Sequence, residues 1–223
     1  MPLSAEPTWA PGPARPALAD GAVHVWRVDL TTVTDSVAEL PCGEERARAE
    51  RLLNERDGRL WMRSRGVLRA LLGRYLQEDP RTLRFSTGAH GKPQLRQHGL
   101  SFNLAHSDRL ALYAITQTGA VGVDVEVERR PVKEVAVAER TFGPAEARRL
   151  ATLDPADRAR EFRRLWVRHE ARLKCRGTGI AGAASGASAG ELWIAELDVG
   201  ALAAAAVAAD PPPRALCTWD WQI

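Results

Sequence analysis

The stretch Ala120–Val127, AVGVDVEV, decides how the rest of the chain is read. Apolar residues alternate there with Gly122, Asp124 and Glu126. In an extended strand, side chains two apart point the same way. Gly122, Asp124 and Glu126 therefore share one face, and Val121, Val123, Val125 and Val127 share the other, which faces a core. Two carboxylates so close on one strand repel unless something positive lies between them. A hard divalent cation is one solution, and Mg²⁺ commonly uses a few carboxylates, waters and phosphate oxygens. A strand with a solvated acidic face is the other, and a bare D-x-E does not choose between them.

On the N-terminal side, Arg109–Ile115 reads as a strand, and Thr118-Gly119 turns it into the acid strand, which predicts a hairpin of the two. Leu100–Leu104 is a further strand running into a polar turn, Ala105-His106-Ser107-Asp108. Beside a phosphate, the His106 ring can donate a charge-assisted hydrogen bond. Leu83–Ser86 is a short strand, and Gly88–Pro93 a turn that would hold Lys92 outward. Cys42–Leu53 and Gly58–Leu76 are predicted helices; the second has an apolar face that includes Trp61, taken as core. Ala22–Leu30 alternates as a strand, and its lone His24 reads as structural. Residues 1–20 carry five prolines, which predicts an extended lead-in.

On the C-terminal side, Pro131–Glu139 and Pro144–Ala151 are short helices and Asp157–Cys175 a long one. In the long helix Phe162, Trp166, Glu170 and Lys174 recur every four residues, so they line one face. A carboxylate on the same stripe as two aromatics is poorly solvated; an ion pair from Glu170 to Lys174 is the plainer use of it. Gly177-Thr178-Gly179 ends the helix, and Ala181–Gly190 is a low-complexity loop. Glu191–Val199 and Leu216–Trp221 are strands. Ala201–Ala209 is Ala-rich and too short to span a membrane.

The 223 residues suit one large or two small domains. The net charge is only +3, yet eleven arginines and no lysine fall between Arg46 and Arg84. A local cationic surface suits a phosphorylated or acidic partner, while nucleic-acid signatures are absent. Cys42, Cys175 and Cys217 form no C-x-x-C pair, which argues for reduced thiols and a cytoplasmic protein rather than a disulfide framework. No charged-then-apolar leader and no apolar run of spanning length is expected of a protein that is neither secreted nor in a membrane.

Four segments in order carry a resemblance: Gly91-Lys92-Pro93; Phe102-Asn103-Leu104-Ala105-His106-Ser107; Gly122-Val123-Asp124-Val125-Glu126; and Trp166 to Lys174 with Gly177-Thr178-Gly179. Together they resemble the motif series of the 4′-phosphopantetheinyl transferases, in the long, monomeric, Sfp-like branch. Two positions depart from the family pattern: His169 stands where Lys is usual, and Ala105 where Ser is usual. The resemblance implies an α+β fold of two similar subdomains arranged as a pseudo-dimer, residues 21–118 on the nucleotide side and 119–223 with the metal strand and catalytic helix, with coenzyme A (CoA) in the cleft between them.

It also implies the chemistry: transfer of phosphopantetheine from CoA to a serine of an apo carrier protein, with release of adenosine 3′,5′-bisphosphate. Asp124, Glu126 and Glu170 would hold Mg²⁺. Glu170 would also deprotonate the serine, and Lys174 would serve the leaving phosphate. His106 would contact the 3′-phosphate, and Lys92 with Arg48, Arg51 or Arg59, of which Arg59 is favoured, would complete the nucleotide site. A non-catalytic module binding CoA or carrier protein and a Mg²⁺-dependent phosphoesterase are the rival readings.

Overall fold

Two sheets and two long helices make four layers. The computed structural model describes residues 8–52, 54–87, 93–95, 99–128, 132–177 and 192–222. Lys92, Gly91, Thr178, Gly179 and the low-complexity loop lie outside them.

The first sheet has the order β1-β10-β2-β6-β5. It uses β1 (Ala10–Pro11), β2 (Ala22–Asp29), β5 (Ser101–Ser107), β6 (Leu110–Thr116) and β10 (Ala215–Asp220). The second has the order β7-β9-β8, from β7 (Ala120–Val127), β8 (Trp193–Glu196) and β9 (Ala203–Asp210). A small ladder pairs β3 (Phe85–Thr87) with β4 (Pro93–Leu95). Helices α1 (Asp35–Ala38), α2 (Gly43–Glu50) and α3 (Glu55–Leu76) precede the first hairpin, and α4 (Glu134–Phe142), α5 (Pro144–Ala151) and α6 (Pro155–Arg176) follow β7.

The long helices start and stop where local chemistry dictates. Asn54 caps α3 by accepting from Arg56 N–H at 2.8 Å, and Asp154 caps α6 by accepting from Ala156 and Asp157 N–H at 3.1 and 3.0 Å. Gln77 and Gly177 end them in the left-handed region, at φ 56° and 70°.

Alternation then sorts the strands between layers. Trp26, Val28, Tyr113 and Ile115 face α3, where Leu68, Leu71 and Leu72 are fully buried. Each such leucine contributes roughly 1.5–3 kcal/mol by leaving water. Val23, Val25, Leu112 and Ala114 face the other way and meet Val121, Val123, Val125, Ala205 and Val207 of the second sheet. Beyond that sheet, Val167, Ala171 and Cys175 of α6 pack on Ala206 and Ala208. Each half is thus a helix laid on a sheet, and the sheets meet face to face. The chain does not keep the halves apart, however: β10, near the C-terminus, runs parallel to β2 in the first sheet.

Three expectations are corrected. β6 and β7 do not form a hairpin; β6 pairs with β5 and β2, and β7 pairs with β9. The true partner of β7 is the Ala-rich segment, whose composition favours helix and signals no strand. Its small residues are needed there, because α6 lies directly on it. His106 and Ser107 are not in a turn but complete β5, and Asp108, at φ 52°, makes the reversal. Trp61 is only partly buried and lines a cavity described below.

His24 has the structural role expected. Trp26 Nε1 donates to the Tyr75 hydroxyl at 2.8 Å, and that hydroxyl lies 2.7 Å from His24 Nδ1. The Tyr75 hydroxyl thus bridges the indole and the imidazole. Burial pushes the His24 pKa down to about 4. The unfolded chain binds this proton near pH 6.5 and the folded one does not, so stability falls as pH drops from about 6.5 towards 4, by about 3 kcal/mol in full. Urea unfolding at pH 7 and pH 4.5 should show this fall in the native protein and a markedly smaller one in His24→Phe.

Candidate active site

The acid strand and the long helix are brought together by the residue that has no side chain. A Cβ on Gly122 would lie 2.2 Å from the Ala171 carbonyl oxygen and 2.3 Å from Cys175 N. Helix α6 therefore rests its backbone on β7, and Glu170 and Lys174 overhang Asp124. Lys174 Nζ donates to Asp124 Oδ1 at 2.6 Å, so the helix lysine reaches across to the strand.

Asp124 and Glu170 are 5% and 8% exposed. Among the described residues, Asp124 Oδ2 and Glu170 Oε1 are buried without a hydrogen-bond partner. Burial is the main cause that pushes Asp124 up to about 6; Lys174 opposes it, and the charges of Glu126 and Glu170 add to it. Glu170 is also raised, by burial first, with Lys174 opposing and Glu126 adding. The three acids thus share one electrostatic neighbourhood.

Among the described residues no three His, Cys, Asp or Glu side chains are gathered as a ready-made metal cage. Mg²⁺ seldom needs one, since it binds through one or two carboxylates with waters and substrate phosphates. Two buried, unpartnered carboxylate oxygens beside a third acid are a donor set that fits a hard cation, which would relieve the cost of leaving them bare.

Glu126 accepts a hydrogen bond from Ser107 Oγ at 3.0 Å. The residue before it, His106, is exposed on the opposite face of β5 and lines a cavity of about 920 Å³. Arg48 and Arg51 line the same cavity, with Trp61, Arg65, Arg69 and Arg84. Glu45 binds Arg65 Nε at 2.9 Å and Arg69 Nε at 2.7 Å. One carboxylate against two guanidinium groups leaves a positive inner wall. Arg65 and Arg69 are not among the residues the sequence points to for this site, and Arg69, read from the sequence as lying off most of the apolar face of this helix, is 3% exposed; the i, i+3 spacings from Arg65 to Leu68 and from Arg69 to Leu72 put both arginines on the buried side.

Arg59 is not brought to this cavity. It pairs with Glu55 at 3.3 Å and borders a separate depression with Asp35, Ala38 and Glu50. Two helical positions before Trp61, it points about 200° around the axis. Lys92 lies outside the described residues. The described lining of this cavity runs from Cys42 to His106. It approaches the second half through the neighbouring Ser107–Glu126 contact.

On the other side of the acid strand lies a groove of about 620 Å³ bordered by Glu126, Val132, Val137, Phe162 and Trp166. His169 packs its ring against Phe142 and Trp166, at centroid distances of 5.6 and 6.4 Å, and burial lowers its pKa, with Arg172 adding to the effect. The residue that departs from the family pattern therefore fills an aromatic cluster.

Fold and site together define an α+β protein with buried carboxylates on one strand and helix and an arginine-lined cavity nearby. Residues 120–203, which begin at the acid strand, match the model of the 4′-phosphopantetheinyl transferase superfamily. The chain is 36% identical over 181 residues to the 4′-phosphopantetheinyl transferase HetI of Nostoc sp., covering 78% of this chain and 76% of that protein. It is 33% identical over 156 residues to the 4′-phosphopantetheinyl transferase AcpT of Escherichia coli, covering 69% and 74%. To the 4′-phosphopantetheinyl transferase Sfp of Bacillus subtilis it is 28% identical over 138 residues, covering 61% and 60%. This chain belongs to the 4′-phosphopantetheinyl transferase superfamily. Among the described residues no helix is long and apolar enough to cross a membrane.

Proposed function

We propose that this protein moves the phosphopantetheine arm of CoA onto a serine hydroxyl of an apo acyl or peptidyl carrier protein. The serine oxygen attacks the phosphorus nearest the pantetheine arm. A new P–O bond forms as the bond to the bridging oxygen breaks, and adenosine 3′,5′-bisphosphate leaves with that electron pair. Such a transfer needs charge neutralisation and positioning more than covalent chemistry.

The observation that carries this reading is the pair of buried carboxylate oxygens on Asp124 and Glu170 that no described residue bonds, on elements linked to an arginine-lined cavity through the Ser107–Glu126 contact. Asp124, Glu126 and Glu170 would hold Mg²⁺, which when bound supplies positive charge to the diphosphate oxygens. Glu170, whose pKa is raised by burial, takes the serine proton directly or through a water. Lys174 gives a hydrogen bond or a proton to the leaving phosphate. Arg48, Arg51 and His106 bind the nucleotide phosphates, with Lys92 as a further contact. Arg59 has the weakest claim, being turned away. The arginine-rich first half would steer an acidic carrier. Three free cysteines suit a reducing cytoplasm, where the protein would act as a monomer.

The test is to incubate the protein with CoA, Mg²⁺ and an apo carrier and to weigh the carrier. Transfer adds one phosphopantetheinyl group to one serine. No gain with several carriers while CoA still binds would favour the non-catalytic module, and CoA hydrolysis without carrier modification would favour the phosphoesterase. His106→Ala should weaken CoA roughly tenfold or more, the worth of a charge-assisted hydrogen bond. Calorimetry with CoA and 3′-dephospho-CoA checks the role: the variant should bind the two equally, whereas the native protein prefers CoA.

A further inference from the structure

The two sheets meet along an unusual seam. β5 is the edge strand of the first and β7 the edge strand of the second. They share no backbone ladder; side chains of β5 do the work of ladder carbonyls. Asn103 Oδ1 accepts from Val123 N–H at 2.8 Å, and Ser107 Oγ accepts from Val127 N–H at 3.1 Å. From 103 to 107 and from 123 to 127 the step is the same four residues, so the two pins hold one register.

The pins differ in one respect. Asn103 bonds the backbone of β7, whereas Ser107 also donates its proton to Glu126 Oε2 at 3.0 Å. A hydroxyl has one proton and two lone pairs. With the Val127 N–H occupying a lone pair, the Ser107 rotor is left to aim its proton at the carboxylate. Ser107 is 4% exposed, so water does not readily replace it.

We infer that Ser107 is a positioning residue: it orients the Glu126 carboxylate for the cation while fixing that carboxylate in register with His106, the neighbouring residue on the opposite face of β5. The inference rests on the reading of Asp124, Glu126 and Glu170 as metal ligands. Hydrogen bonds to metal-ligating carboxylates commonly matter by 10–100-fold in affinity. Asn103 supplies the control, because it pins the same seam without touching a carboxylate.

The experiment uses the full chain saturated with CoA and no carrier, with Mn²⁺ as a paramagnetic probe followed by electron paramagnetic resonance. Ser107→Ala should weaken Mn²⁺ about tenfold; Ser107→Thr, which keeps the hydroxyl, should recover most of that loss. Asn103→Ala should lower the melting temperature and leave Mn²⁺ affinity within about twofold. CoA affinity without metal should be unchanged in Ser107→Ala, and in the transfer assay its Mg²⁺ requirement should rise while KM for CoA holds. If Glu126→Gln weakens Mn²⁺ but Ser107→Ala does not, or if Ser107→Ala and Asn103→Ala weaken it equally, the positioning role is overturned. If the native protein holds no Mn²⁺ at all, the metal reading itself fails and this inference falls with it.

Discussion

Glu170→Gln and Asp124→Asn should each lower carrier modification about a thousandfold, roughly 4 kcal/mol of transition-state stabilisation, with the fold intact. Each change removes half a charge per carboxylate oxygen and turns one oxygen into an amide nitrogen, which cannot ligate a hard cation in the same way. The stability side of the prediction separates this from unfolding. Burial raises the pKa of Glu170, so in the native state the ionised form is disfavoured relative to the unfolded chain. A carboxyl of this kind weakens the fold at every pH above its unfolded value, and the cost fades as pH falls and the proton is bound. Glu170→Gln removes the charge, so its melting temperature at pH 7 should equal or exceed that of the native protein. Carrier mass spectrometry and circular dichroism on the same samples read both quantities. Near-native turnover in both variants would sink the assignment of these acids.

Gly122→Ala is expected to be strongly destabilising and to disturb the candidate site at the same time. The atoms its Cβ would meet at 2.2 and 2.3 Å are the Ala171 carbonyl and the Cys175 nitrogen, backbone of α6 and unable to swing aside. The helix must lift from the sheet, with loss of its contacts to Ala206 and Ala208. Overpacking of this severity costs about 3 kcal/mol, or about 6–12 °C in melting temperature for a chain of this size. Transfer should also fall, because the same displacement separates Glu170 and Lys174 from Asp124. Gly99→Ala is the comparison: a Cβ there meets nothing within 4 Å, so its melting temperature should stay close to native. A Gly122→Ala protein that melts within 1–2 °C of native would show that α6 is not seated on the strand in solution.

Both predictions join a part of the protein that was legible in the sequence to a part that was not. Period-two alternation over 120–127 placed Gly122, Asp124 and Glu126 on one face before any partner was known, and β7 presents that face to α6. Period-four spacing placed Phe162, Trp166, Glu170 and Lys174 on one helix stripe, and Phe162 and Glu170 are buried. The valines, the helix caps and the leucines of α3 were equally readable, because each reflects a preference of the local backbone.

What the strands pair with was not readable. Periodicity reports which face is buried and is silent on which neighbour buries it. The Ala203–Asp210 strand pairs with β7 residues 76 to 90 positions earlier, and alanine carries no strand signal, so the sequence alone points to the nearest strand as partner instead. Arg59 is favoured for the nucleotide site on the resemblance, by its position in the helix. Helix position alone does not tell which turn of α3 opens on the cavity, and that is set by α2 and β5 packing on either side of Trp61 and Arg65. By itself the sequence determined the carboxylates, their faces and the helix that bears the third, since those follow from dihedral repeats along the backbone. Only the tertiary structure decided that Lys174 would reach Asp124 and that Ser107 would hold Glu126, because such contacts depend on two sheets and a helix closing on one another, a sum of distant packing energies that no local window contains.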